Sequence, residues 1–323
     1  MVNGVAASDG EYDLPADGRF QWQLTPACAE LRVRTIRFTD LSKPSVADIL
    51  TSPDWEWTKP ENLGAKVNSD GDESDPTLTA DSLCLMFRSY RDGKFGLYEC
   101  RRKTPLEPWG EAVSWSVAGA SLSTPFLTAD GLTLLSSYAN GMGTEATDIW
   151  LVQRETRDAA WGQPKNLGPN VNSPKRENYP ALSPDRLTLY FTSDRDRDGD
   201  TDVWVCRRPT PDAEFGKAEK LGAPVNSDAV ELAPRPLADG SGFTFWRKLR
   251  MPQNSIEWLL ATPKVGSEWD VRSLGVFRDP AYGPPTFAND GRSVLFHAVL
   301  PGGQGKNDLW QMRRVPKAKG TTP

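Results

Sequence analysis

The chain has 323 residues, of which 38% are hydrophobic and 25% charged, so it has enough apolar material for one large all-β domain or two ordinary domains. No apolar run reaches the length of about 18 residues that a membrane-spanning helix needs. The net charge is −5, and the 38 Lys and Arg residues are scattered among 43 acidic ones, which argues against a nucleic-acid-binding protein.

Residues 1–54 contain none of the features that recur later in the chain. Residues 1–20 have neither a basic nor an apolar segment, so the sequence predicts no secretory signal here. ELRVRTIRF, residues 30–38, is a candidate strand, and LSKPSVADIL, residues 41–50, is a candidate helical turn opened by Ser and Pro. We predict an N-terminal extension lying across the outside of the following domain. The alternatives are part of a neighbouring β-domain and a degenerate additional repeat.

From residue 55 onward a unit of about 52 residues recurs. NLGAKVNS ends at Ser69, NLGPNVNS at Ser173 and LGAPVNS at Ser227. Each repeat also contains an acidic turn, at Asp81, Asp130, Asp185, Asp239 and Asp290. A proline precedes each turn, at Pro76, Pro125, Pro180, Pro234 and Pro285. An aromatic residue follows each turn within a second apolar run, at Tyr98, Trp150, Trp204, Trp258 and Trp310.

Each repeat consists of four short runs with alternating polarity, separated by Gly, Asp, Asn and Pro turns. A repeat of about 50 residues with four antiparallel strands is typical of a propeller blade. The sequence therefore predicts an all-β, five-bladed β-propeller of four-stranded antiparallel blades over residues 55–316, followed by a C-terminal tail at 317–323. A six-bladed propeller with a degenerate N-terminal blade is the alternative.

The two ends of the repeat region are out of phase with the blades. The outer-strand feature appears first, at Trp57, whereas the chain ends after the third strand of its last repeat, at Val315. We therefore predict that the N-terminal outer strand completes the last blade, as a latch that removes an open sheet edge.

The rare residue types limit the chemistry. The single histidine, His297, cannot form a multi-histidine zinc site. The four cysteines are far apart and include no CxxC pair, which argues against a zinc ribbon or a dithiol redox motif. Because Cys100 and Cys206 occupy equivalent repeat positions, we expect them to be unpaired buried thiols.

The third repeat, ENYPALSPDRLTLYFTSDRDRDGDTDVWVCRR, resembles the WD40-like β-propeller repeat of the PD40 or TolB-like type. The resemblance covers residues 55–316 and is weakest in the fourth repeat, where SIEW and WRK replace the D-[IL]-W and SDR elements. It implies the propeller fold and a periplasmic or extracellular location. It implies little about activity, because such repeats serve many unrelated functions.

Three repeats share a glutamate three positions before the inner-strand proline, at Glu73, Glu177 and Glu231; Leu122 and Tyr282 take this place in the other two. Equivalent repeat positions lie on a ring about the propeller axis. We therefore predict that the three carboxylates and Tyr282 meet at the channel mouth and bind a cationic or polar partner. Alternatively, each Glu accepts hydrogen bonds from its own blade connection.

One loop resembles the first half of a calcium-binding loop, with oxygen ligands at alternate positions followed by a glycine. Its carboxylates are Asp194, Asp196, Asp198 and Asp200. The twelfth position, where a bidentate Glu is expected, is Val205. An acidic surface hairpin is the alternative, and calcium is the only cofactor that the sequence suggests.

The recurring acidic turns are assigned a structural role, because an Asp at a tight hairpin accepts hydrogen bonds from turn amides. We predict a monomeric, non-enzymatic binding or scaffold propeller that recognises a protein, peptide or glycan at the channel mouth. One alternative is a glycoside hydrolase of the five-bladed type, which needs two channel carboxylates. Against it, the candidate carboxylates are repeat-related, and no unrepeated acidic motif is apparent on the inner strands. Another alternative is a sensor domain of a larger chain.

Overall fold

The computed structural model describes residues 44–115, 122–139, 146–196, 200–249, 256–264, 268–274 and 283–317. These residues form an all-β, five-bladed propeller of antiparallel sheets, as the repeats predict. The candidate strand at residues 30–38 lies outside the described residues. In the part of the chain that the structure describes, no helix has the length and apolar character needed to cross a bilayer.

Three short elements precede the first blade: helix α1 (Val46–Thr51), strand β1 (Trp55–Trp57) and strand β2 (Glu61–Asn62). Helix α1 begins with a capping box, in which Ser45 Oγ accepts from Asp48 N at 3.0 Å and the Asp48 carboxylate accepts from Ser45 N at 3.0 Å. This confirms the helical turn predicted from LSKPSVADIL.

The blades follow in chain order, and the first strand of each lies innermost. Blade I contains β3 (Glu73–Leu78), β4 (Cys84–Ser89), β5 (Gly96–Arg101) and β6 (Val113–Trp115), with a 3-10 helix at Arg91–Gly93. Blade II contains β7 (Leu122–Leu127), β8 (Thr133–Ala139), β9 (Thr147–Gln153) and β10 (Lys165–Asn166). Blade III contains β11 (Glu177–Leu182), β12 (Thr188–Ser193), β13 (Asp202–Arg207) and β14 (Glu219–Lys220). Blade IV contains β15 (Val230–Pro236), β16 (Phe243–Lys248), β17 (Ile256–Pro263) and β18 (Trp269–Ser273). Blade V contains β19 (Thr286–Phe287), β20 (Ser293–Ala298) and β21 (Asp308–Pro316).

The outer strand of blade V comes from the N-terminal side of the propeller. Both β1 and β2 pair antiparallel with β21, with Trp57 opposite Arg314 and Glu61 opposite Gln311. The amide nitrogen of Thr58 donates a hydrogen bond to the carbonyl oxygen of Arg313, with 2.8 Å between the two atoms. The predicted latch is therefore confirmed, and the ring closes with five blades.

Each interface between adjacent blades holds a buried apolar cluster, because one sheet cannot bury both of its faces alone. At the closing interface, Phe87 and Tyr98 of blade I pack with Leu295 and Leu309 of blade V. The thiols of Cys84, Cys100 and Cys206 are buried and free, as expected for the last two. Burial raises the pKa of each to about 12, so these thiols are protonated at neutral pH.

Helix α1 packs against the propeller. Val46 and Leu50 are buried in one cluster with Leu237 and Leu260 of blade IV. The amide of Val46 donates to Asp239 Oδ2 at 2.6 Å. The compact unit that contains the blades spans residues 43–323, so the part of the extension from residue 44 onward folds with the propeller.

The acidic turns have the structural role expected of them. Asp81 Oδ1 accepts from the amide of Leu83 at 3.0 Å, and Asp130 Oδ1 accepts from the amide of Leu132 at 2.9 Å. Both carboxylates also form ion pairs across blade interfaces, Asp81 with Arg157 and Asp130 with Arg186. The turn hydrogen bonds and these arginines lower the pKa of both carboxyls, despite an opposing contribution from burial.

Candidate functional site

The inner strands of blades I to IV share a bulge at the residue before the proline. The pairing register of each inner strand with its neighbour shifts there. The residue before the proline has a positive φ in all four blades: Asp75 (52°), Thr124 (48°), Tyr179 (52°) and Ala233 (52°). Positive φ is rare for such residues and persists only where the surroundings enforce it. Bulges redirect side chains, and these four differ in chemistry from blade to blade.

Five titratable side chains lie on the two innermost strands of four blades: Asp75, Arg88, Tyr179, Arg235 and His297. We call them the channel cluster. Burial is the main cause that raises the pKa of Tyr179; Asp75 raises it further, and Arg235 and Arg88 oppose the change. Asp75 and Tyr179 likewise influence Arg235, whose pKa burial lowers. Arg235 Nη1 also donates to the carbonyl oxygen of Pro180, the residue after Tyr179, at 3.3 Å, so blades III and IV are in contact at this position.

His297 anchors blade V to this cluster. Its Nδ1 accepts a hydrogen bond from the amide of Asp75 at 3.3 Å, so the neutral ring carries its proton on Nε2. A Cβ at Gly283 would lie 2.1 Å from the imidazole ring, so only glycine fits at that position. Burial lowers the pKa of His297; Asp75 and Asp72 oppose the change and Arg88 adds to it. His297 is therefore neutral at pH 7.

We expect His297 to make the protein less stable in mild acid. Because its pKa in the folded protein lies below the ordinary 6.5, the unfolded chain takes up the proton first as the pH falls. The stabilising contribution is complete above the ordinary pKa and is lost as the pH falls towards the folded-state pKa. Urea midpoints at about pH 7.5 and 5.5 should therefore differ more in the wild type than in His297→Asn, which keeps an acceptor near the Nδ1 position. Equal shifts in the two proteins would contradict this assignment.

Three atoms of the channel cluster are buried without a hydrogen-bond partner among the described residues: Asp75 Oδ1, Arg88 Nε and Arg235 Nε. Buried polar atoms are almost always paired, by protein, water or ligand. An acceptor and two donors left over in one channel are therefore suited to a polar group from outside the chain.

An exposed aromatic pair stands beside the end of the channel where the inner strands begin. Tyr90 and Phe95 follow β4, with ring centroids 4.7 Å apart and exposed fractions of 41% and 38%. The guanidinium carbon of Arg88 lies 3.4 Å from the centroid of the Phe95 ring. This arrangement joins a stacking surface to a charged group of the channel cluster.

The glutamates predicted to line the channel mouth are fully buried at 0% exposure. Glu177 accepts from Ser173 N at 2.8 Å, Ser173 Oγ at 2.7 Å, Ser193 Oγ at 2.8 Å and Arg195 Nη2 at 3.0 Å. Glu73 and Glu231 are held in the same way, by Arg91 and Arg247 respectively together with neighbouring serines. The three glutamates therefore have the geometry of the local-cap alternative, and their role in binding a partner at the channel mouth stays a prediction. Tyr282 lies outside the described residues.

The acidic loop does not converge on a common point in the residues that are described. Asp194 is buried and accepts from the amide of Arg176 at 2.9 Å. Lys220 Nζ lies 3.6 Å from Asp196 Oδ2 and 2.6 Å from Asp202 Oδ2. Asp198 lies outside the described residues. Within the described ranges, Asp200 included, no group of three or more potential metal ligands occurs.

We expect calcium to bind this loop no more tightly than about 1 mM, because the closing bidentate carboxylate is missing and Lys220 neutralises Asp196. Isothermal titration in calcium-free buffer measures the affinity, with Asp196→Ala as the control. Micromolar binding that Asp196→Ala abolishes would contradict the prediction.

The repeat pattern does not reveal the importance of the residue before each inner-strand proline. The expectation that no unrepeated acidic group lies on an inner strand is wrong for Asp75, which lies in β3 at 5% exposure. The tripeptide that ends in the inner-strand proline changes from SDP in blade I to STP, NYP and LAP in blades II to IV. This variation before a constant proline is the signal in the sequence that marks the position.

No family model and no curated protein matches this sequence. Solved structures do match. TolB from Acinetobacter baumannii is 14% identical, and the match covers 76% of this chain and 55% of TolB with a TM-score of 0.46. A family 117 glycoside hydrolase from Zobellia galactanivorans is 10% identical, with 81% of this chain and 90% of the hydrolase covered and a TM-score of 0.53. An α-L-arabinofuranosidase from Podospora anserina, in complex with cellotriose, is 10% identical, with 81% and 98% covered and a TM-score of 0.53. This likeness shows the fold alone.

Proposed function

We propose that this protein is a non-enzymatic binding propeller that recognises a peptide or glycan at the channel end where the inner strands begin. The observation that carries the proposal is the pair of unpartnered buried atoms on blade I, Asp75 Oδ1 and Arg88 Nε. An acceptor and a donor on one blade suit a ligand that presents both kinds of group. Peptide backbones and sugar hydroxyls do so. The proposal holds equally for a free-standing propeller and for a sensor module of a larger chain.

The exposed aromatic pair is a second observation that favours a binding site at this end of the channel. Tyr90 and Phe95 are exposed and adjacent to Arg88, so a sugar ring or a peptide side chain that stacks there has a polar group within reach of the channel. Aromatic and arginine side chains are also the residue types that dominate binding energy at protein interfaces.

Hydrolysis of a glycosidic bond is less well supported. It needs two carboxyl groups flanking the scissile bond, about 5–9.5 Å apart. The bulge positions that correspond to Asp75 in blades II to IV are Thr124, Tyr179 and Ala233. The other carboxylate that influences His297 is Asp72, which belongs to the same blade and accepts from Asn307 Nδ2 at 3.0 Å. A facing acid is absent from these positions.

Glycan and peptide arrays with the purified protein test the proposal, followed by titration of the best ligand. Asp75→Asn and Arg88→Gln should weaken binding by about tenfold or more, because each removes a charge-assisted hydrogen bond. Arg207→Gln, an exposed arginine of β13, is the matched control and should leave the affinity unchanged.

Two results would overturn the proposal. One is an array ligand that binds Asp75→Asn and Arg88→Gln as tightly as it binds the wild type. The other is release of sugar from arabinan-type or fructan-type substrates by the wild type but not by Asp75→Asn, which would establish the hydrolase alternative.

A further inference from the structure

A further site lies at the end of the inner strands, where they run into the acidic turns. It is a cavity of about 310 Å³ to which all five blades contribute residues. This volume lies at the lower end of the range of small-molecule pockets, about 300–1,000 Å³. Much of the wall is apolar, formed by Leu78, Phe126, Leu127, Leu182, Leu237 and Phe287.

Three charged side chains are among the residues that line this cavity: Asp130, Arg186 and Arg235. Asp130 and Arg186 neutralise each other in an ion pair. Arg235 forms no ion pair with any described residue. Its Nη1 and Nη2 donate to the carbonyl oxygens of Pro180 and Pro125 over long distances of 3.3 and 3.4 Å, and its Nε has no partner.

Arg235 is not required by the propeller architecture. The equivalent position after the proline is Thr77, Phe126, Ala181 or Thr286 in the other blades. Arg235 is nonetheless only 6% exposed, and burying a charge without an ion-pair partner is unfavourable. Asp75 is the carboxylate that acts on Arg235, but it does not line the cavity. A buried cation that breaks the five-fold pattern indicates a functional role.

We propose that this cavity binds the carboxylate group of a ligand with an apolar body. Arg235 receives the carboxylate through two parallel hydrogen bonds, one from the free Nε and one from an Nη nitrogen, which is the geometry that guanidinium and carboxylate groups share. The leucine and phenylalanine wall accepts the apolar body. A free organic acid and the C-terminus of a peptide with an apolar last residue present the same chemistry. This site uses Arg235, which lines the cavity, whereas the proposed peptide or glycan site uses Asp75 and Arg88, which do not line it.

Matched acids and amides test this inference. One arm compares 4-phenylbutyrate with 4-phenylbutyramide, and the other compares acetyl-Ala-Ala-Leu with its C-terminal amide. At least one acid should bind the wild type with a dissociation constant on the order of 1 mM or tighter. It should bind about tenfold or more tightly than its amide, because only the acid forms the charge-assisted pair. The arm that binds identifies the source of the carboxylate.

Variants of Arg235 assign the preference to this site. Arg235→Met keeps much of the side-chain volume and should abolish the preference for acid over amide, whereas Arg235→Lys should retain part of it. Arg207→Gln should behave as the wild type. The comparison of acid with amide on the wild type needs no variant. It therefore tests the preference for a carboxylate even where a variant fails to fold.

The inference is overturned if acid and amide bind the wild type equally, if neither acid binds at about 10 mM, or if Arg235→Met keeps the full preference. Arg88→Gln should leave acid binding unchanged, and Asp75→Asn should leave it unchanged or strengthen it, because the substitution removes a negative charge that acts on Arg235. Loss of the array ligand in these two variants without loss of acid binding supports both sites. Equal binding of acid and amide by a protein that still binds the array ligand counts against the carboxylate site but not against the proposed peptide or glycan site.

Discussion

Replacing Glu177 with glutamine should lower the free energy of unfolding by about 3 kcal/mol, because removing one partner of a buried ion pair leaves the other charge unpaired. Glu177 is fully buried and accepts four hydrogen bonds, one of them from Arg195. The glutamine side chain places an amide group where one carboxylate oxygen accepted, and Arg195 loses its counter-charge. Urea denaturation measures the change as a shift in midpoint at constant slope.

The exposed Glu155→Gln is the matched control and should change stability by less than about 0.5 kcal/mol. Glu177→Gln should also leave the array ligand bound with unchanged affinity per folded molecule, because the carboxylate does not reach the channel. A variant that melts like the wild type but loses the ligand would return Glu177 to a role in binding.

Deleting residues 1–64 should remove the cooperative unfolding transition or lower its midpoint by on the order of 10 °C. The deletion takes away both segments of the outer strand of blade V and leaves the edge of β21 unpaired. It also removes α1, whose buried Val46 and Leu50 each contribute about 1.5–3 kcal/mol of apolar burial. Differential scanning calorimetry provides the measurement.

Two shorter deletions separate these contributions. Deleting residues 1–40 should be mild, and deleting residues 1–53 should have an intermediate effect, because it removes α1 and keeps β1 and β2. An unchanged thermogram after deletion through residue 64 would show that the latch does not stabilise the ring.

The five-fold repeat predicted the blade count and the latch because strand pairing follows directly from the order of the repeated runs. Burial of the glutamates was harder to predict, although the sequence held the relevant signal. Glu177 is joined to Ser173, Ser193 and Arg195, which lie 4, 16 and 18 residues away, and Glu73 has partners at the same spacings. Residues that recur together at fixed spacing therefore satisfy one another's hydrogen-bonding groups and charges.

Blade II lacks the glutamate, and its partner position differs as well. Leu122 replaces the glutamate there, and the residue opposite it in β8 is Tyr138, where blades I and III have serine. The glutamate and its serine partner are thus replaced together. In blade IV, Arg247 stands at the serine position and pairs with Glu231 Oε1 at 2.7 Å, so the WRK departure preserves the ion pair.

The channel cluster could not be predicted because its members share neither spacing nor residue type. Asp75 and His297 are 222 residues apart and meet only after blade V closes against blade I. The bulge that turns Asp75 and Tyr179 out of the strand ladder leaves no mark in the polarity pattern beyond the following proline. Function in this ring is therefore to be sought at the positions that differ among blades.

The shared construction of blade V determines when the chain can fold during its synthesis. Thr58 and Arg313, which bond to each other across the latch, are 255 residues apart. An emerging chain holds β1 and β2 without this partner until β21 has left the ribosome, because among the described residues they pair with β21, the last strand of the propeller. Long-range closure of this kind slows folding and exposes unpaired edges in the meantime. Production of this protein should therefore benefit from slow translation and low temperature more than that of a protein whose blades are each complete within one repeat.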